Sequence, residues 1–300
     1  MPDQENRDDP PTAQAARTGH VPLFRPGQPV VASPITLDQR TGREIFHTPV
    51  SFAPMNPAKV WESLTEISPD RDRMAGNGLF TGGEQTPVVQ TFDMLRTRVL
   101  QAMAKHGWSR LAVTSPGPGC GKSFVAANLA LALARLPSCR TVLLDMDLRN
   151  PGLAPLFGQT ETAPLLEFLT GEQPLESHFR RLGRNLALGL NGAPVTLAAE
   201  TLQDPECIAA LSALREMLEP DLMIFDTTPA LARDDMMALA PQVDAVLLVT
   251  DGTETTPAEV TECERMFEGR VPLLGVILNR AQDRGLKKGR FGRGWFGGRR

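Results

Sequence analysis

A glycine-rich loop that ends in lysine and serine carries the clearest chemistry in the sequence. The stretch from 111 to 123 reads LAVTSPGPGCGKS. Gly119 and Gly121 allow backbone N–H groups to turn toward phosphate oxygens, and a helix beginning at the loop would add the positive end of its dipole. Lys122 would reach the β- and γ-phosphates of ATP, and the Ser123 hydroxyl would bind the magnesium ion.

The loop departs from the common phosphate-loop pattern at its first position. The pattern G-x-x-x-x-G-K-S expects glycine where this sequence has Pro116. A chance match is the plainer alternative, but the stretch lies between a strand-like and a helix-like run, which is the context that the motif requires. We expect Pro118, Cys120 and Phe124, which lie among or beside these residues, to contribute to the same nucleotide site.

Two apolar runs farther along the chain end in aspartate. The first reads LLDMDLR, and strand alternation would place Asp145 and Asp147 on one side of it. The second reads LMIFD and ends at Asp226. Ligands of open α/β sheets bind at this edge, where one carboxylate can order magnesium-bound water and another can accept a proton from a nucleophile. We therefore predict catalytic roles for these acids and for Lys122, and a magnesium site formed by Ser123, Asp145 and Asp226. Which of Asp145 and Asp147 accepts the proton stays open. The plainer alternative is that these two aspartates only cap a turn.

The last apolar run leads into Asn279 and Arg280. An asparagine at a strand end can hydrogen-bond the base edge of a purine. Spacing alone supports that role weakly.

The elements that must position these groups alternate between strand and helix. Strands are predicted at 111–114, 141–144, 222–225, 245–250 and 273–278. Helices are predicted at 88–105, 122–136, 205–218 and 257–268. Apolar strands alternating with helices predict an α/β fold of the P-loop NTPase class, with a mostly parallel sheet and helices on both faces.

Composition limits the kind of protein. The 300 residues are 41% hydrophobic with a net charge of -4, which permits a large core and argues against nucleic acid as a partner. Four scattered cysteines are expected to be reduced thiols. Since the sequence has neither a signal-peptide pattern nor a membrane-length apolar run, we expect a cytoplasmic protein.

The chain divides into three predicted parts. Residues 1–86 are expected to be largely disordered, with a short amphipathic helix near 57–67 and a linker at 68–86. That helix could dock on a partner or pack on its own domain. A P-loop domain follows at 87–283, and then a basic Gly/Arg/aromatic tail at 284–300. The tail could attach to an anionic membrane, contact nucleic acid or stay solvated.

Taken in order, four motifs resemble the cytoplasmic domain of the bacterial tyrosine kinases of capsule and exopolysaccharide synthesis. They are SPGPGCGKS, LLDMDLRNP, LMIFDTTP and GVILNR. The resemblance covers about residues 88–282. Those kinases are relatives of the chromosome-partitioning ATPases, whose extra early loop lysine is missing from residues 114–121 here.

The resemblance implies ATP and Mg²⁺ as cofactors, with the phosphate-loop and aspartate roles given above. It further implies that Arg149 organises the second acidic motif as one of the nucleotide-binding residues, and that Asn279 and Arg280 lie near adenine. It implies a membrane-embedded adaptor that controls polysaccharide chain length, recruitment to the inner face of the plasma membrane, and a homo-oligomer.

Two departures from the family bear on function. The chain contains no tyrosine, so none of its residues can replace the family's C-terminal tyrosine cluster. The family's ring-forming motif E-x-x-R-x-x-R aligns with Gln90, Asp93 and Arg96, of which only the last matches. The leading hypothesis is phosphoryl transfer from ATP to water or to a partner's tyrosine. The alternatives are a nucleotide-switched positioning ATPase and a silent ATP-binding scaffold.

Overall fold

The structure is a computed structural model that describes residues 56–68, 70–82 and 86–281. The predicted disorder of residues 1–55 and the predicted basic tail at 284–300 lie outside the described residues. Within them, no helix is both long and apolar enough to cross a membrane.

In these ranges the strands are β1 (Thr65–Glu66), β2 (Arg110–Thr114), β3 (Thr141–Met146), β4 (Arg180–Leu182), β5 (Leu186–Gly189), β6 (Leu222–Thr227), β7 (Ala245–Asp251) and β8 (Leu273–Asn279). The helices are α1 (Pro57–Ser63), α2 (Arg71–Gly76), α3 (Pro87–His106), α4 (Lys122–Ala134), α5 (Leu153–Leu156), α6 (Leu165–Leu169), α7 (Leu175–His178), α8 (Ala198–Gln203), α9 (Pro205–Leu218), α10 (Asp235–Leu239) and α11 (Pro257–Phe267). A 3₁₀ turn at Ala240–Gln242 follows α10.

The strands form one sheet in the order β1-β4-β5-β3-β6-β2-β7-β8. Among the described strands, β4 and β5 are the one antiparallel pair. The predicted mostly parallel α/β sheet is therefore confirmed. Strand β6 lies between β3 and β2, so the three strands that lead into the predicted motifs are neighbours. Their register places Asp226 beside both Asp145 and Val113.

Side chains that alternate along the strands pack into two apolar layers, one on each face of the sheet. On β3, Val142 and Leu144 face the layer that includes α1, α6 and α9, whereas Leu143 faces the layer formed with α3 and α4. Helix α4 is almost entirely apolar, and nine consecutive residues of it are buried. A helix that is apolar all round needs such burial, which fixes α4 and the loop before it against the sheet.

Local signals explain the helix ends that were predicted well. The Asp204 side chain caps α9 by accepting a hydrogen bond from the Glu206 N–H, and Pro205 occupies the first helical position. Helix α11 begins with a capping box in which Thr256 and Glu259 satisfy each other's backbone N–H groups. Helix α3 ends at Gly107, whose φ of 68° suits glycine.

The helix predicted near 57–67 ends earlier, at Ser63, and packs on its own domain. Val60 and Trp61 are buried, and the Trp61 indole Nε1 donates a hydrogen bond of 2.6 Å to the Leu218 carbonyl at the end of α9. Packing within the domain, rather than docking on a partner, is thus the alternative that the structure supports.

The linker predicted at 68–86 is wrong at Arg71–Gly76, where the chain forms α2. The Asp70 side chain caps α2, and the side chains of Met74 and Leu79 are buried in the core. The charged and glycine residues that suggested a linker instead supply the cap and the turn after the helix. A single buried methionine in a short helix leaves no periodic pattern to detect.

Strands β4 and β5 and the short helices between 153 and 203 were not predicted. Each is at most six residues long, which is too short for apolar periodicity to identify.

Candidate functional site

The phosphate loop joins the end of β2 to the start of α4, as its motif requires. Its positive backbone angles fall on Gly119, with φ of 81°, and on Gly121, with φ of 88°. A side chain at Gly121 would also overlap the Asn279 amide. Pro116, which cannot adopt a positive φ, occupies a position where none is needed. The missing first glycine therefore does not prevent this loop conformation.

Hydrogen bonds from two sides hold the loop. The Ala230 N–H donates to the Ser115 carbonyl at 2.7 Å, and this links the loop to the segment that follows β6. On the other side, Asn279 Nδ2 donates to the Cys120 carbonyl at 2.9 Å. The structure thus assigns Asn279 a contact with the loop itself, and its contact with a purine stays a prediction.

Lys122 lies between two of the predicted carboxylates. Its Nζ is 2.7 Å from Asp147 Oδ2 and 3.8 Å from Asp226 Oδ1, and 12% of its side chain is exposed. Burial alone would lower the pKa of Lys122, but the charges of Asp226 and Asp147 raise it above its ordinary value. The lysine is therefore a charged group held by carboxylates where phosphates would bind.

Asp145 and Asp226 are buried and short of hydrogen-bond partners. Asp145 Oδ2 accepts a 2.9 Å bond from the Leu153 N–H. Its other oxygen and both oxygens of Asp226 have no hydrogen-bond partner among the described residues. Burial raises the pKa of Asp226 to about 6, and burial together with Asp226 raises the pKa of Asp145 well above its usual range. Buried, unpartnered carboxylate oxygens are suited to a bound cation.

The residues present fit magnesium when phosphate is also bound. In the described part of the chain, no group of three or more His, Cys, Asp or Glu side chains could hold a metal by itself. Magnesium typically takes one or two protein carboxylates together with phosphate and water oxygens. Ser123 Oγ lies 3.5 Å from Lys122 Nζ, on the same side of the site. Ser123, Asp145 and Asp226 therefore remain the predicted protein side of the magnesium site.

The other predicted loop residues contribute unequally. The Phe124 ring packs against Phe80 and Phe92, with ring centroids 6.5 and 5.9 Å apart, so its side chain is part of an aromatic cluster. Cys120 is buried with its thiol 3.3 Å from the Gly117 carbonyl, whereas Pro118 lies exposed at the loop tip. All four cysteines are buried and free in the structure.

Arg149 lies in an ion pair that the sequence did not predict. Its Nε and Nη2 donate to the two carboxylate oxygens of Asp235 at 2.7 and 2.9 Å, and its Nη1 donates to the Thr196 carbonyl at 2.7 Å. Asp235 is the first residue of α10, in a run reading ARDDMM. Two adjacent aspartates at a helix start look like simple capping residues, so no pattern distinguished this one.

Arg280 also has a partner that the sequence did not predict. Its Nη1 donates to Asp251 Oδ2 at 2.7 Å, at the end of β7, and its backbone has φ of 52°. Hydrogen bonds from Thr253 and the Arg280 guanidinium lower the pKa of Asp251. Arg280 is thereby held beside Asn279, at the strand end where both were expected.

Comparison with known proteins places this chain in a family. Residues 108–284 match the ParA family model, described as the NUBPL iron-transfer P-loop NTPase. EpsB of Ralstonia nicotianae, a candidate tyrosine-protein kinase, is 31% identical over 215 residues, which cover 69% of this chain and 28% of EpsB. The chain thus spans less than a third of that relative's length.

Two solved kinase domains are similar in sequence and in fold. The VpsO kinase domain is 30% identical with a TM-score of 0.57, and the match covers 65% of this chain and 96% of that domain. The kinase domain of the Escherichia coli tyrosine kinase ETK is 27% identical with a TM-score of 0.61, covering 69% of this chain and 80% of that one.

Proposed function

This chain belongs to the bacterial tyrosine-kinase family of ParA-type P-loop NTPases, and on that basis we propose that it binds ATP with Mg²⁺ and transfers the γ-phosphoryl group. The observation that carries the proposal is the position of Lys122, at 2.7 Å from Asp147 and 3.8 Å from Asp226 beside the phosphate loop. A cation and buried acids at the edge of three adjacent strands form the charge arrangement that phosphoryl transfer requires.

The residues of the chain have separable roles in this proposal. Bound Mg²⁺ would neutralise charge on the phosphates. The Lys122 ammonium exchanges Asp147 for phosphate oxygens when ATP binds, and this leaves Asp147 free to accept the proton of the attacking hydroxyl or water. Asp145 is the weaker candidate for that base, because it is predicted to serve the magnesium site, whereas Asp147 Oδ2 becomes free when Lys122 turns to phosphate.

The acceptor is water or a tyrosine on another protein. None of the 300 residues is tyrosine, so these residues offer no tyrosine to phosphorylate. Asp93, which aligns with the family's ring-forming motif, forms ion pairs with Arg96 and Arg135 of its own chain. On the strength of the family resemblance, we place the protein with a membrane-embedded adaptor of exopolysaccharide synthesis, at the inner face of the plasma membrane.

A positioning ATPase that transfers no phosphate to protein is the second candidate. The match to the ParA family model favours it. The absence of a lysine from residues 114–121 argues against it, because the partitioning ATPases carry one there.

One experiment separates these functions. The full chain is incubated with Mg²⁺ and γ-labelled ATP, with and without a Glu/Tyr copolymer as acceptor, and both free phosphate and labelled copolymer are followed. Label on the copolymer supports the kinase, and free phosphate alone supports the ATPase. If the unaltered chain produces neither, phosphoryl transfer is ruled out as its function. Lys122→Met is the control that should abolish either signal.

A further inference from the structure

The Arg149 guanidinium holds together the segments that follow three adjacent strands. Arg149 itself follows β3, Asp235 belongs to the segment after β6, and Thr196 lies in the segment after β5. These strands are neighbours in the order β5-β3-β6. A 2.7 Å bond from the Val195 N–H to the Leu148 carbonyl reinforces the link between two of these segments. One side chain therefore spans the edge of the sheet where the predicted catalytic acids lie.

The ion pair is bidentate and largely buried. The Asp235 side chain is 1% exposed and that of Arg149 is 22% exposed, and the contact is bidentate. Arginine in this fork geometry restricts orientation as well as distance, which lysine cannot do. A buried carboxylate of this kind depends on its partner for compensation of its charge.

The segment after β6 is fixed at its far end by this pair and at its near end by the phosphate loop. At the near end, the N–H groups of Ala230 and Leu231 donate to the carbonyls of Ser115 and Pro116. Within it, the Thr227 hydroxyl lies 3.1 Å from the Val113 carbonyl and 3.3 Å from Met236 Sδ, so the residue after Asp226 contacts both β2 and α10. The position of Asp226 is thereby linked to that of Asp235.

The segment after β3 is fixed in the same way. Asp147, which holds Lys122, is two residues before Arg149. The Asn150 N–H donates to Asp147 Oδ1 at 3.1 Å and closes a turn around Arg149. Asp147 and Arg149 therefore belong to one hydrogen-bonded turn.

We infer that Arg149 and Asp235 act as a pair of positioning residues that set the separation of Asp147 and Asp226 across the phosphate site. Arg149 thus acts through these acids and not as a ligand of the nucleotide. The inference rests on the proposed phosphoryl transfer, and it adds Asp235 as a residue required for turnover.

The test compares Arg149→Gln, Asp235→Asn and the double variant in the full chain. Arg181→Gln is the matched control, because Arg181 pairs with Glu66 at 3.0 Å on β4 and β1, at one end of the strand order and away from β2, β3 and β6. Phosphate release gives kcat, a fluorescent ADP analogue gives nucleotide affinity, and a Mg²⁺ titration gives the concentration for half-maximal nucleotide binding. Melting curves define a temperature at which each variant is folded.

We expect each single variant to lose about 10²-fold in kcat, the loss expected for a displacement on the order of 1 Å. Nucleotide affinity at saturating Mg²⁺ stays within about threefold, whereas half-maximal binding requires more Mg²⁺. The kcat of the double variant is no lower than that of the less active single variant, because both substitutions break the same ion pair. The control keeps the activity of the unaltered chain.

Several results would overturn the inference. If Asp235→Asn keeps the kcat and the Mg²⁺ dependence of the unaltered chain, the ion pair does not position Asp147 and Asp226. Weaker nucleotide binding in Arg149→Gln at unchanged kcat would make Arg149 a nucleotide ligand. Additive losses in the double variant would separate the two residues. If Arg149→Gln does not fold, Asp235→Asn alone decides. Inactivity of the unaltered chain would instead refute the proposed function, and the Mg²⁺ titration would still test the pair.

Discussion

Replacing Asp226 with asparagine should stabilise the nucleotide-free protein while removing its response to Mg²⁺ and ATP. Asp226 is fully buried in the centre of the sheet, and neither carboxylate oxygen has a hydrogen-bond partner among the described residues. Asparagine has nearly the same shape and carries no charge to desolvate. Lys122 keeps its 2.7 Å contact with Asp147 in the variant, so the lysine does not become unpaired.

The magnitude follows from the raised pKa of Asp226. A pKa that rises from 3.8 to about 6 on folding corresponds to about 3 kcal/mol of preference for the protonated form. Because folding raises the pKa of Asp226, the folded state is more stable when this carboxyl group is protonated. That stability is fully present below pH 4 and is lost as the pH rises through 6. Burial of the ionised Asp226 carboxylate therefore lowers the free energy of unfolding of the unaltered chain by nearly the full amount of about 3 kcal/mol at pH 7.5, and by about half of that at pH 5.

Urea unfolding at pH 7.5, 6 and 5 measures this difference directly. Asp226→Asn should unfold at higher urea than the unaltered chain at pH 7.5, by up to about 3 kcal/mol, and the gap should narrow by about half at pH 5. Mg²⁺ with ATP should stabilise the unaltered chain and leave the variant unchanged.

Asp251→Asn is the control for the sign of the effect. Hydrogen bonds from Thr253 lower the pKa of Asp251, so its ionised form stabilises the fold and its replacement should destabilise the protein at pH 7.5. If Asp226→Asn is less stable than the unaltered chain at pH 7.5, or if the gap does not change with pH, the burial cost assigned to Asp226 is wrong.

Two further substitutions, each with a control, test the phosphate loop and the packing of α2 on the core. Gly121→Ala should abolish nucleotide binding in a titration with labelled ADP, because its methyl group would overlap the Asn279 amide. Gly107→Ala is the control, because Gly107 also has a positive φ, of 68°, but no atom lies near the added methyl. It should lower the free energy of unfolding by about 1–2 kcal/mol and leave nucleotide binding intact. Met74→Ala should lower the free energy of unfolding by about 2–5 kcal/mol, whereas Met94→Ala, at a side chain 57% exposed, should change it by less than about 0.5 kcal/mol. Equal nucleotide binding by the two glycine variants, or equal free energies of unfolding for the two methionine variants, would contradict the packing described.

Strong local signals made much of the fold predictable. The five long strands and four long helices combine continuous apolar runs with caps such as Asp204 and Thr256, and they were predicted nearly to their ends. The loop and the three aspartates were predicted because their spacing follows from a chemistry that needs phosphate, metal and acid at one sheet edge. The structure places Lys122 among those acids, as that chemistry requires.

The contacts that brace the site could not be predicted in the same way. Asp235 meets Arg149 across 86 positions of sequence, and Asn279 meets Cys120 across 159. Such pairs depend on the order of strands in the sheet, which no local pattern specifies. The helix at Arg71–Gly76 was missed for a different reason, since six residues with one buried side chain contain too little periodicity.

Phosphoryl transfer by the site around Lys122 is the central claim, and labelled ATP tests it most directly. With Mg²⁺ and γ-labelled ATP, the unaltered chain should release phosphate or label a tyrosine-containing acceptor, and Lys122→Met should reduce that rate at least about 10²-fold. A rate that is unchanged in Lys122→Met would place the chemistry elsewhere, and no turnover by the unaltered chain would contradict the claim outright.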